Sequence, residues 1–158
     1  MYALLLKVWK KLPFSTNLKV FIMGFINDQF LIGVTGIFFD SKNRILLVKH
    51  SYRGNDNWSL PGGYIKKGEH PMEGLEREVE EETGYVVSAD TRLKIRTDRN
   101  NARLDITYAG EFIGGNYKPS VEILDADFFR FERLPVLPQD QLVFVDKALK
   151  SRKRKQLL

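Results

Sequence analysis

No cysteine occurs among the 158 residues, and there are only two histidines, His50 and His70. The first absence excludes disulfides, thiol nucleophiles and thiolate zinc sites together, and it suits a reducing compartment. The second excludes a histidine-rich metal centre. No apolar run approaches the ~20 residues of a membrane-spanning helix, and the N-terminus lacks a long apolar stretch followed by a small-residue cleavage site. A soluble, cytoplasmic protein is therefore expected. Internal repeats, low-complexity segments and dividing linkers are also missing. With 43% hydrophobic and 28% charged residues, the chain suits one domain with a proper core.

What is present is unevenly placed acid. Seven glutamates (Glu69, Glu73, Glu76, Glu78, Glu80, Glu81, Glu82) fall within one short window opposed only by Arg77, although the whole chain carries +5. Pro71 suits a first helical position and Gly84 the residue just past a helix end, so a helix is predicted over Pro71–Thr83. Around that helix Met72, Leu75 and Val79 share an arc of roughly 60°, while Glu78, Glu81 and Glu82 fill an adjoining arc of roughly 100°. One flank faces a core, and the next carries three carboxylates with Gly74 leaving room between them. Like charges at this spacing disfavour an isolated helix and invite a counter-charge. Two readings follow. One is a solvated acidic face paired with lysines; the other is a site for a hard divalent cation such as Mg²⁺, which takes oxygen ligands and keeps several waters.

The spacing decides between them. Gly63 is followed after five residues by Glu69, after seven more by Arg77-Glu78-Val79, and after single gaps by Glu81-Glu82 and Gly84, then Tyr85. This resembles the signature of the Nudix hydrolase family at every fixed position except the last, where Tyr85 replaces the usual aliphatic. Trp58 to Gly63, WSLPGG, also looks like the family's approach to its box. The resemblance implies an α/β fold, an α/β/α sandwich with a central mixed sheet. It also implies hydrolysis of a pyrophosphate bond in a nucleoside diphosphate linked to another moiety, with Mg²⁺ or Mn²⁺ as cofactor.

By the same resemblance Glu78 and Glu82 are primary metal ligands with the carbonyl of Gly62. Glu81 is a third ligand or holds the attacking water, and Glu69 reaches a metal through water. Arg77 orients the catalytic glutamates rather than touching substrate. Glu73, Glu76 and Glu80 are expected to be solvated, with Glu73 and Glu80 pairing Arg77. In the family the general base comes from a loop beyond the box, and the candidates here are Glu122, then Asp125, then Glu111. His50, Tyr52 and Arg53 precede the box and are candidates to stack on a base or grip a phosphate. His70 is expected to be a poor helix cap. The proline that ADP-ribose pyrophosphatases tend to carry shortly after the box is displaced to Pro119, and the tyrosine of dinucleoside polyphosphate hydrolases has only the late Tyr108. No subfamily is assigned.

Elsewhere the pattern predicts a hairpin from Leu31–Phe39 and residues 45–48, short strands at 58–60, 85–87 and 93–95, and a half-buried strand over 103–112 in which Leu104, Ile106 and Tyr108 alternate with Arg103, Asp105 and Thr107. A C-terminal helix is predicted over 139–150. Residues 1–30, with Leu5, Val8, Trp9 and Leu12 at helical spacing, form an amphipathic extension packed on the domain of residues 31–150. Residues 151–158 form a frayed basic tail. The expected partner is a nucleotide-type small molecule. The basic surplus keeps RNA open as a partner, and a homodimer is also open; a membrane surface is the less favoured use of the N-terminal helix. The rival readings are an RNA 5′-pyrophosphohydrolase and a non-catalytic nucleotide- or RNA-sensing module.

Overall fold

The computed structural model describes residues 14–26, 29–52, 58–98, 100–118 and 120–156. The chain divides into two units, Met1–Phe30 and Leu31–Leu158. The first contains helix α1 (Thr16–Ile26), opened by Ser15, whose Oγ accepts from the Leu18 N–H at 3.3 Å. The amphipathic helix expected around Leu5 to Leu12 lies outside the described residues, as does Arg53. Among the described residues no helix is long and apolar enough to cross a membrane.

In the second unit the elements follow as β1 (Leu31–Phe39), β2 (Ile45–His50), β3 (Trp58–Ser59), β4 (Gly62–Tyr64), α2 (Pro71–Thr83), β5 (Tyr85–Asp98), β6 (Arg103–Gly115), β7 (Ile123–Phe129) and α3 (Gln139–Gln156). Seven strands form one sheet in the order β3-β2-β1-β6-β5, with β4 added to β1 and β7 to β2. β1 runs parallel to β6 from Leu31↔Arg103 to Phe39↔Glu111, and the other pairings are antiparallel. Alternation of side chains splits each central strand between two cores. Val34, Phe38, Leu46 and Val48 pack with Leu75 and Val79 of α2, whereas Ile37, Phe39, Ile45 and Leu47 pack with Phe144, Val145 and Ala148 of α3. Burial on both faces is why β1 and β2 are apolar almost throughout. The result is the expected α/β/α sandwich with a mixed sheet.

α2 keeps its predicted bounds. Pro71 stands in its first turn, and Gly84 ends it in the left-handed region at φ 73°, with its N–H donating to Glu80 O at 2.8 Å. His70 departs from expectation by capping. Its Nδ1 accepts from the Met72 N–H at 3.4 Å, and Glu73 accepts from the His70 N–H at 3.3 Å. An imidazole nitrogen here does the work usually given to a hydroxyl.

Two other boundaries differ. The strands expected at 85–87 and 93–95 are one strand, β5, because bulges near Val86, Ala89 and Arg92 absorb the polar residues between them without ending the pairing to β6. The tail expected to fray continues α3 through Gln156. Arg152 lies 4.9 Å over the Phe39 ring, donates to Asn43 Oδ1 at 2.9 Å and pairs with Glu111. Its long stem and planar head cover apolar surface that a shorter polar residue would leave open.

Candidate active site

β4 exists because two glycines let the backbone come close on both sides. The Gly36 N–H donates to Pro61 O at 2.9 Å, and Thr35↔Gly62 and Val34↔Gly63 are in register. A Cβ on Gly62 would meet Val34 O at 2.1 Å, and one on Gly63 would meet Glu78 Oε2 at 2.4 Å. Any side chain at Gly63 would thus push the Glu78 carboxylate away from its place. Gly74 works in a similar way, but not as expected. The space beside it is taken by Ile65 and by Glu69 Oε2, at 2.8 and 3.1 Å from a notional Cβ.

Arg77 gathers the acids. Its Nε and Nη2 donate to the two oxygens of Glu69 at 2.7 and 3.0 Å, and its Nη1 donates to Glu78 Oε1 at 2.7 Å and Glu81 Oε2 at 2.9 Å. Its Nη2 also donates to Tyr64 O at 3.3 Å, tying helix to β4. The Arg77 fork, with the Lys66 N–H at 2.7 Å, holds the Glu69 carboxyl down to about 2. The same carboxylates raise the Arg77 guanidinium further above its ordinary range. Glu73 and Glu80, expected as its partners, are not among these contacts. Three- and four-residue spacing allowed them, but a carboxylate from the preceding loop has the better, two-pronged geometry. Glu76, expected to be solvated, accepts from the Ala89 N–H at 2.7 Å and fastens α2 to β5.

Beside this cluster lies a cavity of about 440 Å³. Gly62, Gly63, Glu78, Glu82, Glu122, His50 and Tyr52 all line it. The Ser51 N–H donates to Glu122 O at 2.8 Å, which holds the Glu122 loop against the end of β2. The His50 and Tyr52 rings stand 5.1 Å apart. Arg77, Glu69 and Glu81 are not lining residues but stand behind Glu78, with Glu81 also 3.4 Å from Lys66 Nζ. Asp125 is exposed on β7 and is not a lining residue, and Glu111 lines a separate small cavity with Arg152. Arg96, Arg103, Asp105 and Asp140 also line the larger cavity and were not singled out from the sequence. The signal for two of them was available, since Arg103 and Asp105, with Thr107, are the polar face of the alternating strand. That face borders the cavity rather than solvent.

The pattern that defines the NUDIX domain matches residues 29–150 of this chain. The chain belongs to the Nudix hydrolase family. Hydrolysis of a pyrophosphate bond comes with that membership. Over 116 residues this Nudix chain is 31% identical to an ADP-ribose pyrophosphatase of Methanocaldococcus jannaschii, covering 69% of the chain and 67% of the relative. Over 133 residues it is 29% identical to an 8-oxo-dGDP phosphatase of Danio rerio, covering 80% of the chain but only 40% of that protein. The crystal structure of an ADP-ribose pyrophosphatase from Streptococcus suis superposes with a TM-score of 0.65 at 25% identity, covering 78% of this chain and 92% of the other. These relatives differ in substrate, so the resemblance leaves the subfamily unassigned.

Proposed function

We propose that this Nudix enzyme cleaves the pyrophosphate bond of a nucleoside diphosphate linked to another moiety, with Mg²⁺ or Mn²⁺ as cofactor. The observation that carries the reading is the sign of the cavity. Five carboxylates (Glu78, Glu82, Asp105, Glu122, Asp140) line it against two guanidiniums (Arg96, Arg103), in a chain whose net charge is +5. A diphosphate is repelled from such a wall unless cations neutralise it.

The residues present fit a hard cation. The two side chains that α2 brings to the cavity, Glu78 and Glu82, are both oxygen donors, and the carbonyl of Gly62 is the proposed third. Glycine at position 63 leaves the space that Glu78 needs. Among the described residues no three acidic or histidine side chains form a ready-made cage. Mg²⁺ takes one or two carboxylates and completes its shell with water and phosphate oxygens. When bound, the ion supplies charge neutralisation on the phosphate oxygens and a water of lowered pKa.

This chain's own groups supply the rest. Arg77 fixes one oxygen of Glu78 and thereby aims the other. Glu122, on the loop held by Ser51, is the proposed general base. It takes the proton as the water oxygen bonds to phosphorus and the bridging oxygen leaves on the other phosphate. Tyr52, exposed and backed by the buried His50 ring, offers ring surface for a base. Glu81 and Glu69 act through Arg77 and Lys66 to hold the cluster in place.

The test is to incubate the purified protein, with Mg²⁺, Mn²⁺ or EDTA, with nucleotide sugars, dinucleotides, nucleoside triphosphates and capped or triphosphorylated RNA, and to separate the products. Release of a nucleoside monophosphate plus the phosphorylated second moiety, abolished by EDTA and by Glu82→Gln, is expected. Turnover that survives EDTA, or binding without any released product, would refute the reading.

A further inference from the structure

The end of the cavity away from α2 carries charge that this chemistry does not use. Arg103 pairs with both oxygens of Asp105, at 2.9 and 3.1 Å, while Arg96 stands 3.5 Å from Asp105 and 3.5 Å from Asp140. Two cations therefore face two anions, and this end is balanced where the α2 end is acidic. Asp105 is firmly seated. A Cβ on Gly33 would lie 2.7 Å from its Oδ1, so the bare backbone of β1 is its floor. The register Gly33↔Asp105 and Asp105↔Arg96 places all three in one row across the sheet.

Distance assigns the row its part of the substrate. Gly62 pairs with Thr35, two residues along β1 from Gly33, and its strand β4 lies on the opposite side of β1 from β6. Strand geometry then puts Asp105 about 7 Å along and about 10 Å across from Gly62. A diphosphate held at Gly62 and Glu78 reaches this row only through what is attached to it, either a neutral polar group or another phosphate. The row's chemistry distinguishes the two. Its carboxylates accept from hydroxyls and its guanidiniums donate to ring or hydroxyl oxygens, which suits a sugar. An added phosphate meets Asp105 as a like charge, and Asp105 and Asp140 already offset the guanidinium charge that would attract it.

We infer that Asp105 is a specificity-determining residue: with Arg103 and Arg96 it receives the uncharged, hydroxyl-bearing moiety of the substrate and turns away a further phosphate. The inference rests on the pyrophosphohydrolase reading above and adds the choice among its substrates.

The test compares KM and kcat for ADP-ribose and ATP at fixed free Mg²⁺ in the wild type and in Asp105→Asn. The wild type should favour ADP-ribose. The variant should lower KM for ATP about threefold or more and raise it for ADP-ribose by a similar factor, with both kcat values within about twofold. Asp140→Asn, at a half-exposed position on the first turn of α3, should shift the ratio the same way by less, and it decides the matter should Asp105→Asn not fold. A ratio of KM values that stays put, or two KM values that move together, overturns the inference while leaving the enzyme a pyrophosphohydrolase. Turnover of neither compound, with another member of the panel hydrolysed, overturns the inference alone; no turnover of any member overturns both.

Discussion

Arg77 presents donors on every edge of its guanidinium, and each edge meets an acceptor from a different part of the chain: Glu69 before the helix, Glu78 and Glu81 on it, Tyr64 on β4. A lysine holds the charge but not the fork. Arg77→Lys should therefore fold and lose roughly ten- to a hundredfold in kcat, read from steady-state kinetics beside an unchanged circular dichroism spectrum. Asp40 shows the same economy in the β1–β2 turn. Its carboxylate accepts from the N–H groups of Lys42 and Arg44 at 2.9 and 2.8 Å and from the Arg44 side chain at 2.7 Å. Burial alone would push its pKa up; the bonds from Arg44 and Lys42 outweigh that and hold it below the ordinary 3.8. A depressed value means that stability from Asp40 is fully present above pH 3.8 and is lost as pH falls through the folded-state value. Asp40→Ala strands the turn's donors and should cost about 1–3 kcal/mol at neutral pH by urea denaturation, and below pH 3.8 the gap to wild type should narrow.

Helix α2 and strand β4 meet through glycine. Gly63→Ala places a methyl within 2.4 Å of Glu78 Oε2, so the variant should retain its fold and lose most of its activity, measured side by side by thermal melting and turnover. Gly84→Ala acts on stability instead. Its φ of 73° and the Asn116 carbonyl 2.5 Å from a notional Cβ both oppose a side chain. A loss of about 1–3 kcal/mol is expected, visible as a lowered Tm. These elements also mark what was legible from sequence. The box, α2 and its two ends depend on residues a few positions apart, where helical period and capping chemistry operate. Asp105 was visible as part of the polar face of a strand, but that this face borders the cavity beside Gly33 and Arg96 follows only from the register between β1, β6 and β5. Arg77's choice of Glu69 over Glu73 and Glu80 likewise depends on how the loop before α2 folds back. The continuation of α3 through Arg152 was hidden because its cover, Phe39 and Asn43, lies more than a hundred residues away.

At the scale of the whole molecule, a chain of net charge +5 lines one cavity with five carboxylates against two guanidiniums. The sheet separates two cores, α2 brings Glu78 and Glu82 to one edge of the cavity, and β5, β6 and the first turn of α3 supply a balanced opposite wall. A cation that binds only the folded form should stabilise it by about 2.7 kcal/mol at a hundredfold excess over its Kd, so Mn²⁺ should raise Tm and EDTA should reverse the rise. The most direct measurement is Mn²⁺ binding followed by electron paramagnetic resonance in the wild type and in Glu82→Gln. The account predicts saturable binding in the wild type, weakened about ten- to a hundredfold in the variant. Binding of equal strength in both proteins, or none in either, would contradict it.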